Sequence, residues 1–268
     1  MKTRSSILVL LNTALFILLL LLSLFAVYET YTSRPPTPVA GKDAPPASHS
    51  HTAQNIQDYA EKHGFSLADY PDSLLDLLER NPDTEQFVLE YPIYAGTSQS
   101  VDLSSLSLDT VPLFLQWDQR WGYLNYGSDV AGLTACGPVC LSMAAVYVTG
   151  DIRFSPDYII DFAIREGYCV EGDGTSWTLI SQGGPALGLD VTEIPLDEQR
   201  IAENLQVGNP IICVVGPGDF TSTGHYLVFC GYEDGKIRIH DPNSLENSKK
   251  LWAFSDISDQ ILNLWVIR

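Results

Sequence analysis

A chain of 268 residues with 45% hydrophobic content can bury a sizeable core and still leave residues for an anchor and a spacer. Its 33 Asp and Glu against 15 Lys and Arg give a formal charge of −18, which excludes a surface made for nucleic acid or anionic lipid. That acidity reads as a solvated shell rather than as a partner site.

Lys2 and Arg4 lie in residues 1–6, and from Ile7 to Val27 the chain is apolar apart from Asn12, Thr13 and Ser23. As a helix this run would span about 31 Å, close to the thickness of a bilayer's hydrocarbon core. A cleaved secretory signal shares the basic start, but the run is longer than a usual signal core. The flank Val27-Tyr28-Glu29 also lacks a small-x-small site. Residues 7–27 therefore read as an uncleaved transmembrane signal anchor. The positive residues keep 1–6 in the cytoplasm, so a single-pass cell-membrane protein with its bulk extracellular is expected.

Residues 28–53 read as a tether. Pro35, Pro36, Pro38, Pro45 and Pro46 lie among Thr, Ser, Ala and Gly, a composition that extends and cannot form a core. Fully extended it would reach about 80 Å. His49 and His51 have no Cys or acid cluster beside them and read as solvated residues, not metal ligands.

Over residues 54–100 the pattern turns helical. Ile56, Tyr59 and Ala60 make one short apolar face that ends at Gly64. Asp72 is the expected N-cap of a helix over Ser73–Arg80, closed by Asn81-Pro82, and Asp83 or Thr84 opens a turn carrying Phe87, Val88 and Tyr91. Such short amphipathic helices cannot hold a core alone. They are either a helical shoulder of the following domain or an inhibitory pro-segment across its cleft.

Residues 109–268 read as α+β, helices first and antiparallel strands second. An apolar helix over Val139–Val148 ends at Gly150. A second starts at Ser155-Pro156-Asp157 and ends at Gly167, and a third begins near Ser176-Trp177 and stops before Gly183-Gly184-Pro185. A short strand at Asp190–Ile194 and a helix at Asp197–Val207 follow. Strands are then predicted over Pro210–Val215, His225–Tyr232, Lys236–His240 and Asn263–Ile267, with a turn at Glu233-Asp234-Gly235.

Within this region stand Cys136 at the entry to the first helix, His225 opening a strand, and Asp241 where the return strand ends. A helix N-terminus favours thiolate over thiol, and an antiparallel hairpin returns Asp241 to the side of His225. Thiol, base and orienter are what nucleophilic acyl transfer asks for. Each alone has a bland reading: a small buried Cys, a strand His bonded to a carbonyl, an Asp-Pro-Asn turn. Jointly and in this order they read as a catalytic constellation. Cys140 reads as core; Cys213 and Cys230, in predicted strands, could pair outside the membrane, while an odd total of five leaves at least one thiol free. No Cys spacing calls for zinc, and no cofactor is expected.

The pieces Val111-Pro112-Leu113-Phe114-Leu115-Gln116-Trp117-Asp118, Ala135-Cys136-Gly137-Pro138 with Ser142-Met143, Gly172-Asp173-Gly174-Thr175-Ser176-Trp177, Gly224-His225-Tyr226 and His240-Asp241-Pro242-Asn243 carry a resemblance. Residues 109–268 resemble the papain-like, bacteriocin-processing (double-glycine leader) cysteine peptidases, in their stand-alone branch. The resemblance implies a papain-like fold, Cys136 as nucleophile, His225 as general base and acid, Asp241 as its orienter and Gln116 as oxyanion donor. Gln116 departs from the transporter-fused branch, whose glutamine lies just before the cysteine. The expected function is a membrane-anchored extracellular cysteine peptidase acting on a peptide or cell-surface protein. A non-catalytic peptide-binding module of the same fold, and a cell-wall peptide amidase or acyltransferase, are the alternatives.

Overall fold

The computed structural model describes residues 49–172 and 174–268, with side chains from Gln54 onward. The expected anchor at 7–27, most of the tether and the side chains of His49 and His51 lie outside the described residues. Among those described, no helix is long and apolar enough to cross a membrane.

After the last proline of the tether the chain turns helical. Helix α1 (His49–His63) starts inside the stretch expected as tether and ends at Gly64, whose φ of 80° suits glycine. Helix α2 (Asp72–Arg80) begins one residue earlier than expected: Asp72 is its first residue, and Pro71, with φ −58°, takes the capping place. The acid still sits in the first turn, where the helix dipole favours it. Helix α3 (Glu85–Tyr94) completes the accessory segment. Ile56, Leu74, Leu77, Leu78, Phe87 and Val88 form a buried cluster together with Tyr123 and Val130, so the segment shares its core with the chain that follows.

Helix α4 (Cys136–Thr149) is apolar on every side, with residues 137–146 all buried, and stops at Gly150 in the left-handed region (φ 70°). It packs between helix α5 (Pro156–Arg165) and the sheet. The next expected helix does not stop before Gly183-Gly184-Pro185. A wide turn over Leu179–Gly183 runs straight into a helical turn over Gly184–Ala186. These glycines serve close packing instead of breaking the helix: a Cβ on Gly184 would lie 2.7 Å from Val191 Cγ2. Helix α6 (Glu198–Gln206) is capped by Asp197, whose carboxylate accepts from the Arg200 N–H at 2.7 Å.

The sheet is β1 (Val191–Glu193), β2 (Ile211–Val215), β3 (His225–Glu233), β4 (Lys236–His240), β5 (Leu251–Trp252) and β6 (Ile261–Ile267), in the order β1-β6-β2-β3-β4-β5 and antiparallel throughout. Alternation sorts its side chains. Ile212, Val214, Tyr226, Val228 and Trp265 join the cluster of α4 and α5, and Ile211, Cys213, Leu227, Phe229 and Ile239 join that of α6. Each fully buried side chain of this kind contributes roughly 1.5–3 kcal/mol. Between β3 and β4, Asp234 and Gly235 both take positive φ (51° and 73°), as a two-residue hairpin turn requires.

All five cysteines are free thiols. Cys213 and Cys230 do not pair because they serve opposite faces of the sheet. Cys213 packs toward α6, whereas Cys230, at a bulge in the β3–β4 ladder, packs toward α4.

Candidate active site

Cys136 is the first residue of α4, half-buried at the floor of a cavity of about 580 Å³. The residue after it must be small. A Cβ on Gly137 would lie 2.7 Å from Thr175 Cγ2, so glycine is what admits the strand Gly174–Thr175 against the first helical turn. Thr175 is fixed in turn by Tyr126, oxygen to oxygen at 2.8 Å, and by the Tyr226 hydroxyl, which donates to its carbonyl at 3.2 Å.

His225 opens β3 beside this turn, and its Nε2 lies 2.8 Å from Asp241 Oδ1. Both are buried, with 8% and 1% of their surface exposed. Nε2 is thus committed to the carboxylate, which leaves Nδ1 as the nitrogen for the thiol. Burial pushes the imidazole pKa down, but the Asp241 carboxylate outweighs it with added help from Cys136, and the pKa ends raised to about 10. For Asp241, burial pushes upward; His225 and the bonds from Asn247 and Asn243 prevail and hold the carboxyl below its ordinary value. Asp241 Oδ1 accepts from the Asn243 N–H at 2.8 Å, and Oδ2 accepts from Asn247 Nδ2 at 2.8 Å. Its own N–H donates to Ser248 Oγ at 2.9 Å. A buried carboxylate with this many donors stays ionised and stays put.

Gln116 reaches the same cavity from far upstream because the stretch around it lies along residues 240–243. Gln116 N–H donates to Pro242 O at 2.7 Å, Trp117 Nε1 donates to Asn243 O at 3.1 Å, and His240 Nδ1 lies 3.3 Å from Pro112 O. Burial lowers the His240 pKa to about 4, so that ring is neutral and serves as a structural donor. Gln116 Nε2 donates one hydrogen to Gly132 O at 2.8 Å and keeps a second; among the described residues its buried Oε1 has no partner. All four residues singled out from sequence, Cys136, His225, Asp241 and Gln116, are therefore brought to one place; the first, second and fourth line the cavity and Asp241 stands behind His225.

Sequence reasoning missed the residues that hold this group. Asn247 and Ser248 sit on a short helix (Leu245–Lys249), capped by Ser244, whose Oγ accepts from Asn247 N–H at 3.1 Å; the Ser-x-x-Asn spacing was the available signal. Leu77 and Arg80 of α2 form part of the cavity wall, and Asn81 Nδ2 donates to Asn243 O at 2.6 Å. Nothing local in the accessory segment signals those contacts. The remaining thiols are ill-suited to react. Burial raises Cys140 and Cys213 well above the ordinary range, Cys230 to about 12, and Cys169 to a lesser degree.

A helical half bearing a thiol, set against an antiparallel half bearing an imidazole and carboxylate, is the papain-like class of peptidase fold. The Peptidase_C39 like family matches residues 108–266, and the chain belongs to that family. Among solved structures it is similar to the peptidase domain of Streptococcus ComA, a bifunctional ABC transporter involved in a quorum-sensing pathway. Identity is 20% and the TM-score 0.40, covering 58% of this chain and 96% of that one. It is also similar to a chain from Bacillus anthracis described as a C39-like peptidase, with 13% identity, TM-score 0.37, and 59% and 94% coverage. No curated protein matches the chain.

Proposed function

We propose that the chain is a membrane-anchored, extracellular cysteine peptidase that cleaves peptide bonds through a thioester on Cys136. The observation that carries this reading is the buried 2.8 Å contact of His225 Nε2 with Asp241, in register with a helix N-terminal thiol on the same cavity. A fold kept only to bind peptides has no need of an ionised carboxylate buried behind an imidazole, since such a group is costly unless it has a task.

In this reading His225 Nδ1 has already taken the Cys136 proton in the resting pair, and the thiolate sulfur attacks the substrate carbonyl carbon. The charge that develops on the carbonyl oxygen is met by the free Gln116 Nε2 hydrogen and the Cys136 N–H, an orphan donor of the first helical turn. The tetrahedral species collapses, the C–N bond breaks, and His225 gives its proton to the leaving amine. Water, deprotonated by the same imidazole, then hydrolyses the thioester and restores the thiol. Asp241 holds the ring and stabilises its charged form without taking the proton.

Purified full-length protein should hydrolyse members of a mixed peptide library. Cys136→Ala and His225→Ala should each abolish turnover, with the double variant little worse than either, because members of a catalytic unit are strongly non-additive. Turnover retained in Cys136→Ala would sink the peptidase reading. Peptide binding without turnover by the wild type would favour the binding module, and release of cell-wall peptides alone would favour the amidase.

A further inference from the structure

Among the described residues, the lining of the catalytic cavity carries cationic rather than acidic side chains. The protein carries a formal −18, yet among the described residues no Asp or Glu lines the cavity, while Arg80 does. Arg80 is the last residue of α2, in the accessory segment and outside the stretch that defines the family. Its Nε donates to Asp76 O at 3.0 Å, which fixes the guanidinium, and among the described residues its terminal nitrogens have no partner. Of the seven described arginines, five, Arg120 with Asp118 and Arg238 with Glu233 among them, are ion-paired to a carboxylate of the chain itself; exposed Arg80 and Arg200 are the two with no such pair among the described residues. Arg80 also borders a neighbouring cavity of about 610 Å³, lined by the acids Asp83, Asp219, Asp241 and Glu246. A carboxylate is therefore disfavoured in that acidic cavity relative to the catalytic one.

We propose that Arg80 is a specificity-determining residue that receives a carboxylate of the substrate, beside the bond presented to Cys136. The inference rests on the peptide-hydrolysis reading above. A guanidinium whose Nε is already bonded still offers a terminal pair of N–H groups to a carboxylate, and its delocalised charge is lightly hydrated, so desolvating it in a cavity costs less than for a lysine. The carboxylate belongs either to a Glu or Asp side chain or to a free peptide C-terminus.

The full-length protein, wild type, Arg80→Gln and Arg80→Glu, would be assayed on paired peptide pools. One pair differs by Glu against Gln, another by free against amidated C-terminus, and a third by Glu against Lys. The readout is the ratio of kcat/KM within each pair, which a loss of folded protein does not move. Wild type should prefer the carboxylate member of the first or the second pair by about 10- to 100-fold, the range for a hydrogen bond to a charged group. Which pair responds identifies the source. Arg80→Gln should bring that ratio close to one, and Arg80→Glu should turn the third pair toward Lys. A ratio unchanged by either substitution overturns the proposal while leaving the peptidase reading intact. If no pool is hydrolysed, that reading has failed, and equilibrium binding of the same pools to Cys136→Ala, with and without Arg80→Gln, decides the matter for Arg80. Selective binding of the carboxylate member that Arg80→Gln removes supports it, and equal binding overturns it.

Discussion

At the scale of single residues the His225–Asp241 pair sets how the protein should respond to pH. An imidazole raised from its ordinary 6.5 to about 10 remains protonated through neutrality. In the peptidase reading the alkaline limb of kcat/KM therefore falls near pH 10, where His225 loses its proton. Asp241→Asn removes the charge that outweighs burial, so the limb should move to lower pH; identical limbs in both proteins would show that Asp241 does not govern the ring. Stability follows with its own sign. The raised imidazole contributes fully below about pH 6.5 and its contribution is lost as pH rises through about 10. The depressed Asp241 carboxyl contributes above about pH 4 and its contribution is lost as pH falls through its folded value. Thermal unfolding as a function of pH should thus show the pair's contribution intact between about 4 and 6.5. Cys136, His225 and Asp241 were legible in sequence because each announces itself within a few neighbours: a turn into an apolar helix, the head of an apolar strand, a strand ending in Asp-Pro-Asn. Asn247, Ser248 and the Gly132 carbonyl that holds Gln116 were not, since their roles arise only when distant segments meet.

At the scale of elements, α3 bears on the site through one ring. A Cβ on Gly132 would lie 2.3 Å from Phe87 Cζ, and one on Gly122 would lie 2.9 Å from Phe87 Cε2. Phe87 therefore fills a slot that two glycines leave open, and one of those glycines carries the carbonyl that Gln116 grips. Phe87→Ala should cost about 3–5 kcal/mol of stability. Gly132→Ala should cost about 1–3 kcal/mol by overpacking, and should be partly rescued by Phe87→Leu. Denaturant unfolding of the two singles and the double gives the test. The same variants separate the two readings of the accessory segment. A shoulder that shapes the site loses activity with Phe87→Ala, whereas an inhibitory pro-segment would release it. The expected helices at α2, α4, α5 and α6 could be read from caps, glycine stops and periodicity. The wide turn at 179–183 could not, because Gly183-Gly184-Pro185 carries the usual signals of a break and only the approach of Val191 shows that the glycines are spacers. The edge strand β5 is two residues long, too short for any periodicity to register.

At the scale of the whole molecule, the proposed membrane anchor at 7–27 is open to a direct test. Protease added to intact cells should digest the C-terminal domain while residues 1–27 stay with the membrane; recovery of a soluble form starting after about residue 27 would show a cleaved signal instead. The order of strands adds something that neither charge nor site geometry conveys. β6, the last strand in sequence, is not at an edge but lies between β1 and β2. Until residues 261–267 have been made, β1 has no neighbour and β2 shows one open side, Ile211–Val215, with every residue apolar. A chain is synthesised from its N-terminus, so the thiol, the Arg80 wall and the imidazole all exist before the sheet that aligns them can close. Cys136 is made more than a hundred residues before β6 can enter between β1 and β2, so the apolar seam of the sheet closes only after every residue of the candidate site has left the ribosome.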